Sequence, residues 1–270
     1  MVEQTLITPS DYAVPDANQL ITEDDTPVDN LGSEKQQRLL AGSLYSAQKG
    51  RIFLAAANVG IYYAEGQPAI VPDLFVSFDV QTPANWWEKQ NRVYLVWKFG
   101  KPPEIALEIV SNKVGEELGE KLDIYQQMRV SYYIIYDPSR QLGEQVLYIY
   151  ELRGRRYVEI TDTWLEQVEL GLTLWEGEFE GRRDTWLRWC DKEGNILPTG
   201  DELAREAEEY ASQAEERASQ AEERASQAEE RASQAENQAE QERLAREQAE
   251  ERNRLLLEQL RAMGIDPDRD

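Results

Sequence analysis

The placement of aromatic residues divides this chain before any motif is read. Of its 25 Trp, Tyr and Phe residues, only Tyr210 lies beyond residue 200. Aromatic rings carry a large share of the apolar area that a core can bury. Residues 1–200 therefore hold the material for a packed domain, and residues 201–270 do not. At 270 residues the chain has room for one or two domains of roughly 100–200 residues each.

Beyond residue 200 the chain is repetitive. Ala211-Ser-Gln-Ala-Glu-Glu-Arg217 recurs at 218–224 and 225–231 and begins again at 232. The period of seven, with Ala at the 3-4 spacing, puts Ala211 at position a and Ala214 at position d of a heptad. Within the perfect repeats no Glu stands three or four residues from an Arg, so ion pairs along one helix are not the design. Between two parallel helices, Arg217 at position g meets Glu222 at position e of the next heptad. The pattern predicts a long helix over about 201–262 and favours a parallel homodimer through 201–263. Leu256, Leu260 and Met263 supply the apolar end of that seam. The alternative is a solvated, alanine-rich helical stalk.

Residues 1–32, with Pro9, Pro15 and Pro27, read as an irregular leader. Ser33-Glu34-Lys35-Gln36 fits an S-x-x-Q capping box, and Leu40, Leu44 and Ala47 continue at helical spacing, predicting a helix over about 34–48. Strand-like runs come next at 51–63, 70–78, 94–97 and 105–110, then a helix over 116–129, then strands at 132–136, 146–151 and 157–160. Trp and Gly in 164–189 read as packing and turn residues. This order predicts an α/β domain over 33–200 built on one mixed β-sheet flanked by helices, succeeded by the 201–270 helix. No Gly-rich phosphate loop is present.

Composition closes several classes of chemistry. The chain has no His and one Cys, Cys190. A Ser-His-Asp triad, a Cys-His pair and His or Cys-cluster zinc sites are excluded. The net charge is −23, of which residues 1–200 carry −12 and the remainder −11. Such a field repels anionic membranes and bulk nucleic acid. No arginine-rich stripe or aromatic and basic interleaving is read as a nucleic-acid groove. With no apolar run of membrane-spanning length, the expectation is a cytoplasmic protein without membrane contact.

Within the strand Ile105-Ala-Leu-Glu-Ile-Val110, side chains alternate, so Ala106, Glu108 and Val110 share one face and Ile105, Leu107 and Ile109 the other. A carboxylate in that setting costs free energy unless it is paired or bound to a metal. Asp73 enters a neighbouring apolar strand. Two such carboxylates form an oxygen-ligand site suited to Mg²⁺ or Mn²⁺, and Lys121 on the next helix brings a positive charge. A plain turn at Asp73, a salt-bridged Glu108 and a surface Lys121 are the alternatives for each residue alone.

Asp73, Glu108 and a lysine keep the order of the PD-(D/E)XK, restriction-endonuclease-like superfamily, with Val110 where its lysine usually stands. Pro103-Glu-Ile-Ala-Leu-Glu-Ile-Val-Ser111, Lys121-x-x-x-Tyr125 and Tyr132-Tyr-Ile-Ile-Tyr-Asp-Pro138 resemble the Uma-type family of bacterial restriction-endonuclease-like proteins, in which the lysine sits on the following helix. The resemblance implies a restriction-endonuclease-like sheet. Asp73, Glu108 and the Ile109 carbonyl would hold the metal, and Lys121 would be the positioned cation. Tyr125 shares the Lys121 face of the helix, and Glu34 stands where many superfamily members carry a further acidic residue. The implied function is a metal-dependent endonuclease that hydrolyses DNA phosphodiester bonds with a metal-activated water. The other reading is a catalytically silent scaffold that acts through its helical tail.

Overall fold

A computed structural model describes residues 30–111 and 117–264. The fold is mixed α/β and comprises two compact units, Met1–Leu203 and Ala204–Asp270. The leader over 1–29 and the stretch 112–116 lie outside the described residues.

Helix α1 runs Leu31–Ala47. Its cap is Asn30, whose Oδ1 accepts from the backbone N–H groups of Gly32 and Ser33, each at 2.9 Å. The helix therefore starts three residues before the expected Ser33 box, because Asn30 is the better-placed side-chain acceptor for two otherwise orphaned donors. Strands β1 (Phe53–Ala56), β2 (Ile61–Tyr62), β3 (Leu74–Phe78) and β4 (Tyr94–Leu95) come next. Where the sequence suggests a strand over 94–97, the chain turns after two residues into the short helix α2 (Val96–Phe99), closed by Gly100 at φ 79°. Only a residue without Cβ takes that left-handed conformation at no steric cost. Then come β5 (Ile105–Ile109), α3 (Glu120–Met128), β6 (Tyr132–Tyr136), β7 (Leu147–Arg153) and β8 (Arg156–Ile160).

The main sheet has six strands in the order β1-β3-β5-β6-β7-β8. Its β5–β6 pair is parallel and the rest are antiparallel. The parallel pair arises because α3 crosses between β5 and β6 and returns the chain to the same end of the sheet. Alternation along β5 sorts the core: Ile105, Leu107 and Ile109 join one apolar cluster with Leu40, Leu44 and Trp189. Ala106 and Val110 join the other, with Phe75, Tyr94, Tyr125 and Tyr133.

Strands β9 (Trp164–Leu165), β10 (Leu170–Phe179) and β11 (Arg182–Cys190) form a second sheet, a hairpin not anticipated from the sequence. Its polar outer positions hid the alternation. At Gly177 an added Cβ would lie 1.9 Å from the Trp175 ring, so only glycine lets that ring lie flat along the strand. Arg188, 1% exposed, sits over Trp175 and pairs bidentately with Glu202, at 3.1 and 2.7 Å. Thr199 and Glu202 exchange side-chain and backbone hydrogen bonds, a capping box that starts helix α4 (Gly200–Ala262).

Within the repeats of α4, Gln220, Gln227 and Gln234 each donate to the Glu one turn earlier. Arg–Glu pairs at helical spacing occur only farther on, at Arg243–Glu247, Arg246–Glu250 and Arg254–Glu251, among the described residues. Among the described residues no helix is long and apolar enough to cross a membrane.

Candidate active site

The strand ladder itself creates the site. Leu74 pairs with Leu107 in the antiparallel β3–β5 register, and continuing that register sets Pro72 opposite Ile109. Proline has no N–H to give, so the ladder stops. What the missing donor frees is the Ile109 carbonyl, while the Ile109 N–H donates to Asp73 Oδ2 at 2.6 Å. The other oxygen, Oδ1, accepts from Gln37 Nε2 at 2.8 Å, and Gln37 Oε1 accepts from Asn58 Nδ2 at 3.1 Å. Asp73 is thus oriented by the backbone of β5 and by a side-chain relay from α1. The Ile109 carbonyl belongs to the same interrupted ladder position.

Glu108 is 2% exposed in the middle of β5. Both its oxygens are held: Lys121 Nζ donates to Oε2 at 2.9 Å and the Tyr125 hydroxyl to Oε1 at 2.7 Å. Lys121 and Tyr125 reach the same carboxylate because they stand one turn apart on α3. Tyr125 is fully buried and packs at 4.8 Å against Tyr133. Its hydroxyl positions Glu108 rather than Lys121.

Burial pushes the Glu108 pKa up from 4.5 to about 7, with the nearby Asp73 charge adding to the rise while Lys121 and Tyr125 oppose it. Burial also acts to lower Lys121. The Glu108 charge and hydrogen bond, then Glu117 and Asp73, outweigh it, and the ammonium is held above its ordinary value. Tyr125 is driven well upward by burial and then by the Glu108 charge, so it remains a hydrogen-bond donor.

Two further residues belong to this constellation that the sequence did not point to. Glu117, 5% exposed, lies 3.5 Å from Lys121 Nζ and its Oε2 has no hydrogen-bond partner among the described residues. Its place four residues before Lys121 was the available signal. Gln37, 3% exposed, is the α1 residue that reaches Asp73. Glu34 lies on the outer side of α1, paired with Arg38 at 2.5 Å in a cluster with Lys35 and Glu180. Gln37, one turn farther along α1 than Glu34, is the residue that reaches the sheet edge.

No group of three or more His, Cys, Asp or Glu side chains placed to hold a metal occurs among the described residues. What the site offers is two carboxylates and a backbone carbonyl, a hard-oxygen donor set of the kind that takes Mg²⁺ or Mn²⁺ together with water.

This arrangement of order, spacing and topology lies inside the region that matches a family profile. The family described as "Uma2: Putative restriction endonuclease" matches residues 19–177, more than half of the chain. The chain belongs to the Uma2 family. All of Asp73, Glu108, Lys121 and Tyr125 fall within the Uma2 match, and α4 lies beyond it. Among solved structures, this Uma2 chain is similar to one described as a "putative nuclease belonging to DUF820" from Anabaena variabilis ATCC 29413. The identity is 14%, the alignment covers 52% of this chain and 72% of that one, and the TM-score is 0.34, too low to bear on the reading of the site. The search of curated proteins gave no match.

Proposed function

We propose that this Uma2 chain is a divalent-metal-dependent endonuclease that hydrolyses DNA phosphodiester bonds, with Asp73, Glu108 and the Ile109 carbonyl as metal ligands and Lys121 as the catalytic cation. The observation that carries the reading is Glu108: a carboxylate buried mid-strand, beside Asp73 and clamped by a lysine and a tyrosine. A purely structural core has little use for such a group, since ion pairs so buried add little to stability. Perturbed carboxylates with specific charge partners concentrate at functional sites.

A bound divalent cation would supply charge stabilisation at the phosphate and a more acidic water. The chain's own groups do the rest. Lys121, its ammonium stabilised by Glu108, stays protonated at neutral pH and is suited to neutralise charge that builds on a non-bridging phosphate oxygen, not to act as a base. Tyr125 and Lys121 each occupy one oxygen of Glu108 and fix its plane. Each oxygen keeps lone-pair capacity for a further partner. Gln37 and the Ile109 N–H do the same for Asp73. Cytoplasmic location and DNA as the substrate belong to this reading.

The relay from α1 gives a separable expectation. Gln37→Ala should weaken Mn²⁺ binding about tenfold or more, as loss of a group orienting a ligand usually does, with folding retained. Calorimetric titration of the variant checks this, and parent-like affinity would remove Gln37 from the site.

The helix over 204–262 is exposed along its length apart from Leu260, and its seam residues Leu256 and Met263 are 49% and 68% exposed. We propose that it pairs with a second copy in parallel, Arg217 facing Glu222. Alanine at a and d buries little area, so the pairing should be weak and salt-sensitive. Removing residues 204–270 should convert the dimer to a monomer by light scattering; a full-length chain that already scatters as a monomer, or a truncated one that still scatters as a dimer, would contradict the pairing.

A further inference from the structure

We infer that an apolar pocket beside the catalytic carboxylates is a nucleobase-binding subsite, which makes DNA with an unpaired or single-stranded nucleotide the substrate class. This inference rests on the nuclease reading and deepens it.

The pocket has a volume of about 410 Å³, within the range of small-ligand sites. Phe75, Tyr94 and Phe99 are among the residues that line it. Tyr94 and Phe99 stack at 4.3 Å, and Phe75 meets Tyr94 edge-on at 5.1 Å. At its rim stand Trp86 and Trp87, 51% and 82% exposed. Two adjacent indoles left largely in water forgo the burial that large apolar side chains normally gain, an arrangement that marks a binding surface.

Register places the pocket beside the site. Ala56, Phe75, Ala106 and Tyr133 form one row across β1, β3, β5 and β6. Glu108 lies two residues beyond Ala106 on the same face, about 7 Å along the strand. A nucleotide whose phosphate lies at Glu108 and Asp73 can bring its own or the adjacent base to this wall.

Charge selects the occupant. In a chain of net charge −23, the described lining contains no acidic residue, and its single charged side chain is Arg92, whose Nε donates to the Trp87 carbonyl. The segment Trp86–Lys101 carries Lys89, Arg92, Lys98 and Lys101 against Glu88 alone, interleaved with Trp86, Trp87, Tyr94, Trp97 and Phe99. The whole-chain charge masks this local interleaving of aromatic and basic residues. Stacking platforms combined with basic groups hold single strands irrespective of sequence. Stacking supplies affinity that the global field does not repel.

The test is binding of a fluorescein-labelled oligothymidylate in EDTA, so that no cleavage intervenes, compared with an abasic sugar–phosphate strand of equal length. The parent should bind the oligothymidylate about tenfold to hundredfold more tightly than the abasic strand, at one stacked base or more. Trp86→Ala combined with Trp87→Ala should erase that difference. Because both rings are at the surface, the double variant should melt as the parent does. The abasic comparison needs no variant at all. Equal parent affinity for the two strands, or an unchanged preference in the double variant, overturns the subsite. An apolar protein side chain or lipid as the true occupant would leave the oligothymidylate titration flat and would also overturn it. Parent cleavage in Mg²⁺ is scored separately. Base-dependent binding without any cleavage keeps the subsite and defeats the nuclease reading, whereas cleavage without base-dependent binding does the reverse.

Discussion

Glu108→Gln should make the metal-free protein more stable at pH 8.5, by about 3 kcal/mol, and by about half that at pH 5.5. Glutamine reproduces the shape of the protonated acid and removes the charge that the core resists. The sign comes from the direction of the shift. Burial raises the Glu108 pKa from 4.5 to about 7, with the Lys121 charge already opposing that rise. The folded state therefore holds this proton more tightly than the unfolded chain does. Its stabilising contribution is complete below the unfolded value and is eroded as pH rises to about 7, after which the loss is constant. Denaturant titrations of parent and variant at the two pH values measure the difference. Equal stability at both would mean that the carboxylate is not penalised by its surroundings, and the strongest physical sign of a functional site would be lost.

Lys121→Met should have the opposite balance. The variant leaves Glu108 without its cation, so the carboxylate moves further up in pKa and sits protonated at neutral pH. Breaking a buried pair by removing one partner typically costs about 3–5 kcal/mol, discounted here because Lys121 is itself 30% exposed. A loss of about 1–3 kcal/mol is expected at pH 8 and a smaller one at pH 6, where Glu108 escapes by taking a proton. Cleavage should fall at least about 10²-fold, since an electrostatic stabiliser of this kind is typically worth that much. Lys121→Arg should keep the fold while recovering only part of the activity, its planar fork being unable to reproduce a point charge at 2.9 Å. Cleavage rates measured beside thermal melts separate the two effects. Full activity in Lys121→Met would exclude the catalytic cation.

How far the sequence could foresee this depends on the period of each signal. Glu108 was legible because a two-residue period places it on a definite face of β5, and the apolar clusters on either side of the sheet obey that alternation. The contact of Lys121 and Tyr125 with Glu108 was half legible: helical spacing puts them together on α3, but nothing local says which strand they face. Gln37 was not legible. It lies 36 residues from Asp73 on a helix, and nothing local in the sequence says which turn of that helix meets the end of β3. The β10–β11 hairpin escaped notice because glutamates and arginines fill its exposed positions, so its apolar half is sparse. The cationic character of 86–101 vanished in a whole-chain sum.

The nuclease site stands or falls on one titration. Mg²⁺ or Mn²⁺ is added calorimetrically to the full chain and to Glu108→Gln at pH 8, and each sample is then incubated with plasmid and with single-stranded DNA. Saturable binding is expected in the parent, its loss in the variant, and strand cleavage only where the metal binds. A well-folded parent that neither binds the cation nor cuts either substrate would contradict the proposed site, and would leave the helical tail as the working part of the molecule.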